Sequence, residues 1–195
     1  MICDEKKLIL GLAGEMASGK GTAAEYISKN YKAKIYRFST ALRDILERLY
    51  LEEIRGNMQK LSTVLRENFG QDILARVITQ EVKNDLNEIV VVDGVRREAD
   101  IKFLKELPEF KLVYIEADIE KRHERISKRG ENKDDNAKTF EQFKKELSQE
   151  SELQIKSLKN IADYVIDNSN DIGCLYAEID KIIAECKARH PKGHN

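Results

Sequence analysis

The sequence predicts an α/β fold, a parallel sheet covered by helices on both faces. Three observations predict it: five short apolar runs, amphipathic helical stretches in the intervals, and a glycine-rich turn directly after the first run. The runs are Lys7 to Ala13, Lys34 to Phe38, Glu88 to Val92, Lys111 to Glu116 and Ala162 to Asp167, rich in Ile, Val, Leu and Tyr as buried strands are. Between them apolar residues recur at helical steps. Ile172, Leu175, Tyr176, Ile179, Ile182, Ile183 and Cys186 mark one face of a terminal helix, and Ile101, Leu104 and Leu107 mark another that Pro108 stops. Strict alternation of strand and helix implies right-handed crossovers, so the strands run parallel.

Two intervals are too long for simple crossovers. Residues 39–87 contain the helical pattern Leu42, Ile45, Leu46, Leu49, then Leu61, Val64, Leu65, Phe69; residues 125–159 are charged, with few large apolar side chains. Both read as insertions at the carboxyl edge of the sheet, where such folds bind ligands. At 195 residues the chain fits one domain with a full core, and residues 187–195, with His190, Pro191, Gly193 and His194, read as a frayed tail.

Composition narrows the function. The 34 basic and 35 acidic side chains nearly cancel, leaving no global positive field to gather nucleic acid or an anionic membrane. Apolar runs such as Ile89 to Val92 fall far short of the roughly 20 residues that cross a bilayer, and the stretch from Met1 to Lys7 lacks the pattern of a secretory signal. The expected address is cytoplasmic. Cys3, Cys174 and Cys186 are odd in number and show no Cys-x-x-Cys spacing, which is the pattern of reduced thiols rather than of disulfides or a zinc site.

The turn after the first strand reads Gly14, Glu15, Met16, Ala17, Ser18, Gly19, Lys20, Gly21, Thr22 and runs into a helical stretch, Ala23 to Lys29. This is the Gly-x4-Gly-Lys pattern of a phosphate loop. Its glycines let successive N–H groups turn inward around phosphate oxygens, the following helix adds the positive end of its dipole, and Lys20 supplies an ammonium for the outer phosphates. Gly21 stands where the common pattern has Ser or Thr, which leaves open the hydroxyl nearest magnesium; Thr22 follows directly.

The order Gly-Lys-Gly-Thr resembles the adenylate kinase branch of nucleoside monophosphate kinases, and three more segments extend the resemblance from Leu8 to about Asn170. The third strand ends Val92, Asp93, Gly94, Val95, Arg96, Arg97, similar to the Asp-Gly-x-Pro-Arg of adenylate kinases without its proline; the Asp-x-Arg of phage deoxynucleoside monophosphate kinases favours Arg96 over Arg97 for the acceptor phosphate. Arg125 and Arg129, four apart on one helical face, match the Arg-x-x-x-Arg that opens the lid of adenylate kinases. His123 beside them reads as a surface residue. Ser39, Thr40 and Arg43 resemble the acceptor-contacting Ser-Thr and Arg, though a hydroxyl pair there would also cap the next helix; Arg66 is a further candidate clamp. On the lid, Lys133, Asp134 and Asp135 follow Asn132 where that family has arginine.

The resemblance implies a three-layer P-loop NTPase fold with strand order 2-3-1-4-5, a helical acceptor-binding insertion over 39–87 and a lid over 125–159. It implies an ATP-dependent, magnesium-requiring kinase of a nucleoside or deoxynucleoside monophosphate. ATP would sit on residues 14–22 with Arg125 and Arg129, the acceptor on Ser39, Thr40, Arg43, Arg66, Gly94, Arg96 and Arg97, and magnesium near Thr22 and Asp93. The partners so implied are ATP and a small phosphorylated acceptor, with no nucleic acid and no membrane, for a monomer or small homo-oligomer. A related reading is dephospho-coenzyme A kinase, with Asp93 as base for a hydroxyl; that family's Asp-x-Asp after the second strand is replaced by Phe38, Ser39, Thr40. A nucleotide-dependent switch or assembly ATPase is the third.

Overall fold

In a parallel sheet covered on both sides, consecutive strand residues must bury against opposite layers, and the central strand here does so over its whole length. The computed structural model describes residues 7–129, 139–147 and 150–188. Strand β1 (Leu8–Ala13) is buried at every position. Leu8, Leu10 and Leu12 face helix α1 (Lys20–Tyr31) and helix α9 (Ile172–Ala188), packing with Ala23, Ala24, Ile27, Leu175, Ile179 and Ile183. Ile9 and Ala13 face the opposite layer, which contains α2 (Phe38–Arg48), α4 (Ile73–Asn84) and α8 (Glu150–Ser157) and places Leu42, Ile78 and Ile155 in one apolar cluster.

The remaining strands are β2 (Lys34–Arg37), β3 (Ile89–Val95), β4 (Phe110–Glu116) and β5 (Tyr164–Asp167). All pairings are parallel, and the order across the sheet is β2-β3-β1-β4-β5. The fold is therefore the three-layer P-loop kinase fold with its 2-3-1-4-5 order. β1 lies at its centre, so the turn after β1 opens on the middle of the carboxyl edge. The register pairs Leu12 with Asp93 but Ala13 with Val95, so Gly94 is the extra residue of a bulge beside that turn.

The long first interval folds as α2, α3 (Arg55–Phe69) and α4. Several details differ from expectation. Phe38 opens α2 instead of closing β2, because its ring is buried with Leu42 in the helical layer. Arg37 is the N-cap residue, so Ser39 and Thr40 occupy the first turn and cap nothing. Leu49, Val64 and Phe69 are exposed rather than core. After β3 the helix α5 stops at Ile101 (Glu98–Ile101), and successive turns carry Leu104 into the core up to Pro108.

The second interval contains α7 (Phe140–Leu147) and α8, and follows α6, which starts before it at Ile119 and runs to Arg129. It has an apolar centre of its own: Ile126, Phe143 and Leu147 pack together against Met16 and Ala17 of the glycine-rich turn. Cys3, the 132–135 segment and residues 189–195 lie outside the described residues. Among those described, Cys174 and Cys186 are free thiols, and no helix is long and apolar enough to cross a membrane.

Candidate active site

The turn between β1 and α1 forces the backbone into left-handed angles at three places: Gly14 (φ 146°), Ala17 (φ 58°) and Gly19 (φ 110°). Gly14 tolerates no side chain, since a Cβ there would lie 2.1 Å from the Ile115 carbonyl oxygen of the neighbouring strand. Lys20 begins α1, and its Nζ donates to the carbonyls of Gly14 at 2.7 Å and Glu15 at 2.9 Å, so the ammonium sits across the mouth of the loop. Ser18 is fully buried with an unpartnered hydroxyl, Gly21 follows Lys20 with open space around it, and Thr22 is exposed on the first helical turn. A loop of this shape, capped by a helix N-terminus and a lysine, is built to hold the oxygens of a polyphosphate.

Asp93 reaches the same edge from β3. Its Oδ2 accepts from Arg37 Nε at 3.2 Å, an ion pair set by the register that places Arg37 opposite Asp93. Thr22 and Asp93 offer hard oxygen donors of the kind magnesium takes when it keeps most of its waters and arrives on a substrate's phosphates. Among the described residues no cluster of three or more His, Cys, Asp or Glu side chains suits a resident metal ion.

Beyond Asp93 the structure gathers three of the predicted arginines. Arg66 on α3 is mostly enclosed, with an unpartnered buried Nε; it donates to Ser62 Oγ and lies 3.9 Å from Asp100 Oδ1. Burial, then the nearby Arg97 guanidinium, pulls its pKa down against the opposing pull of Asp100, and Arg96 adds to the lowering. The buried Asp100 carboxylate also accepts the backbone N–H groups of Arg96 and Arg97, at 3.0 and 3.1 Å, which folds the chain after β3 around it. Like charges thus converge beside an orphan buried donor, an arrangement an anion would neutralise. Arg43 is drawn instead to Glu53, at 3.0 Å on the exposed side of α2, and Ser39 and Thr40 lie one turn before it.

The fourth strand leads into α6, the source of the remaining cations. Arg125 Nη2 donates to the Asn168 carbonyl at 2.8 Å, while its Nη1 is buried without a partner. The side chain of Arg129 lies outside the described residues. His123 is half-buried between the rings of Phe140 and Phe143, at centroid distances of 5.2 and 5.6 Å, rather than on the surface.

Three residues to which no motif points complete the site. Arg122 is 4% exposed: its Nε donates to the Ala117 carbonyl at 3.0 Å, its Nη2 lies 3.3 Å from Glu15 Oε2, and its guanidinium stands over Phe143. Asn168, just after β5, donates from Nδ2 to the Ser18 carbonyl at 2.8 Å. Arg37 holds Asp93. The sequence signal for Arg122 was its place one turn before Arg125, on the same helical face.

Comparison with known proteins agrees with the fold. The profile of an AAA domain family (AAA_17) matches residues 13–144. A UPF0200 protein of Pyrococcus furiosus is 30% identical over 182 residues, covering 91% of this chain and 96% of that protein. A UPF0200/UPF0201 protein of Archaeoglobus fulgidus is 27% identical over 179 residues; the chain spans about half of its length, 54%, with 90% of its own. Shikimate kinase from Bacteroides thetaiotaomicron superposes with a TM-score of 0.62 at 14% identity, over 91% of this chain and 97% of that one, a likeness of fold alone. With a phosphate loop at the centre of a 2-3-1-4-5 sheet and both sequence matches spanning most of its length, the chain belongs to the AAA domain family and to the UPF0200 proteins.

Proposed function

We propose that this protein is an ATP-dependent small-molecule kinase that transfers the γ-phosphoryl group to a nucleoside or deoxynucleoside monophosphate. The single observation that carries the reading is the pairing of two anion sites on one sheet edge: the loop 14–20 after β1, and the Arg66, Arg96, Arg97 group after the adjacent strand β3. A kinase with a phosphorylated acceptor needs two such sites side by side. A hydrolase or a switch needs only the first.

Phosphoryl transfer requires two polyanions held in line and shielded from water while charge spreads over the moving group. In this reading the loop amides and Lys20 seat the triphosphate, Lys20 exchanging the Gly14 and Glu15 carbonyls for phosphate oxygens. Magnesium, when bound with ATP, would be held near Thr22 and Asp93 and would neutralise charge on the outer phosphates. Arg125, with its unpartnered Nη1, meets the γ-phosphate, and the resemblance supplies Arg129 as a second cation; Arg66 and Arg96 or Arg97 orient the acceptor, with Gly94 giving it room and Ser39, Thr40 and Arg43 at the rim. The α6–α7 cluster over Met16 and Ala17 keeps water from the loop.

The segment after β2 supports a phosphate acceptor over a hydroxyl one, since Phe38, Ser39 and Thr40 stand where dephospho-coenzyme A kinases have Asp-x-Asp. The test is incubation with magnesium ATP and a panel of monophosphates, deoxymonophosphates and dephospho-coenzyme A. Formation of a nucleoside diphosphate is expected. Exclusive use of dephospho-coenzyme A, with activity abolished in Asp93→Asn, would establish the hydroxyl reading instead, and slow hydrolysis indifferent to every acceptor would establish a switch.

A further inference from the structure

We infer that Asn168 is a positioning residue, which sets Arg125 in register with the phosphate loop. The inference rests on the reading of residues 14–20 as the ATP site and adds a residue to it.

Asn168 is 5% exposed and uses three of its four polar groups on different parts of the site. Its backbone N–H donates to the Glu116 carbonyl at the end of β4, at 2.8 Å. Its side-chain Nδ2 donates to the Ser18 carbonyl inside the loop, at 2.8 Å. Its own carbonyl accepts from Arg125 Nη2, again at 2.8 Å. One residue thus joins the strand end, the loop and the arginine. The fit against the loop is close: a Cβ on Gly19 would lie 2.2 Å from Asn168 Nδ2, so the glycine at 19 leaves the space that the amide fills.

The flanking residues hold this turn rigid. Asp167 Oδ1 accepts from both the N–H and the hydroxyl of Ser169, and Ser169 Oγ accepts the N–H of Asp118 at the start of α6. The helix that carries Arg125 is therefore fastened to the Asn168 turn at its origin and again two turns along. What this leaves over is Arg125 Nη1, buried and unpartnered beside a fixed Nη2. Its missing acceptor must arrive with a ligand, and the loop 14–20 determines where that ligand's phosphates sit. Cutting the Nδ2 tether leaves Arg125 its carbonyl but removes the common reference between the arginine and the phosphates.

The test is a double-mutant cycle on the full chain: wild type, Asn168→Ala, Arg125→Ala and the pair, each measured for turnover, acceptor KM and ATP affinity by calorimetry, with thermal melts alongside. Asn168→Ala is expected to lower kcat about tenfold or more with acceptor KM within about twofold, and Arg125→Ala should cost at least about threefold less in its background than in wild type. Asn168→Asp, of the same shape but without the donor, should behave alike and serves if the alanine variant fails to fold. Turnover within about twofold of wild type, or losses that multiply in full, would overturn the inference. A wild type that binds no ATP would overturn both this and the kinase reading. One that binds ATP yet transfers to no acceptor sinks the acceptor reading alone, and the same cycle read on ATP affinity then decides the coupling: non-additive losses support it and additive losses overturn it.

Discussion

Arg122 Nη2 lies 3.3 Å from Glu15 Oε2, so the helix that carries Arg125 is tied to the second residue of the phosphate loop by an ion pair whose side chains are only 5% and 13% exposed. Lys156 of α8 approaches the other oxygen, at 3.6 Å, but is half in solvent. Removing one member of an enclosed pair strands the other, which costs far more than the pair itself contributes. Arg122→Ala should lower unfolding free energy by about 3 kcal/mol, read from the urea midpoint, and Glu15→Gln in that background should recover part of the loss. A midpoint shift worth less than about 0.5 kcal/mol would show that Lys156 and water replace the arginine.

Arg66 should govern the acceptor and not the donor. A charge-assisted hydrogen bond to a phosphate is worth about 1.5–3 kcal/mol, so Arg66→Ala should raise acceptor KM by about 10- to 100-fold with ATP KM nearly unchanged. Arg66→Lys keeps charge but loses the fork, and should fall between them. Equal changes in both KM values would place Arg66 in the scaffold.

Two glycines of the same loop should respond oppositely to alanine. Gly14→Ala drives a methyl group into the Ile115 carbonyl at 2.1 Å, at a φ of 146°, and should abolish ATP binding with a stability loss of about 3 kcal/mol or more. Gly21 meets nothing within 4 Å and lies within α1, so Gly21→Ala should leave the fold intact or raise its stability by up to about 1 kcal/mol. Thermal melts of the two variants decide this directly.

Alkaline unfolding should follow two tyrosines. Burial, then a hydrogen bond to Asp180, raises the Tyr31 hydroxyl to about 12; burial, then a hydrogen bond to Asp85, does the same for Tyr36. A pKa raised in the folded state favours folding while the group is protonated. The contribution is complete below about pH 10 and is lost as pH climbs toward about 12. Melting temperature should therefore fall steeply between these values, and less steeply in Tyr31→Phe and Tyr36→Phe, which have no proton to lose.

The sheet was readable from sequence because buried parallel strands must be apolar runs, and the loop because its chemistry demands glycines and a lysine at set spacing. Strand ends were less readable: Phe38 is as apolar as any strand residue, and only its packing with Leu42 assigns it to a helix. Arg122 lay in a run of charges where its place one turn before Arg125 was the one local mark, and its burial comes from Glu15 and Phe143, which the fold brings to it. Arg37 and Asn168 were hidden for a different reason. Each gains its role from a neighbour far along the chain, Asp93 through strand register and Ser18 through the closeness of β5 to the loop, and register and closeness belong to the assembled sheet.

The fastening of α1 to α9 bears on how the protein is made. The hydroxyls of Tyr26 and Tyr31 both reach Asp180, about 150 residues further on, and Leu175, Ile179 and Ile183 wall the helix in from behind. A nascent chain halted on the ribosome before residue 164 already displays the entire Gly14–Lys20 stretch, yet lacks the amide that steadies Ser18 and the backing that seats α1. On the reading of residues 14–20 as the nucleotide site, capture of nucleotide waits for β5 and α9, and a product truncated before them carries the motif without the grip.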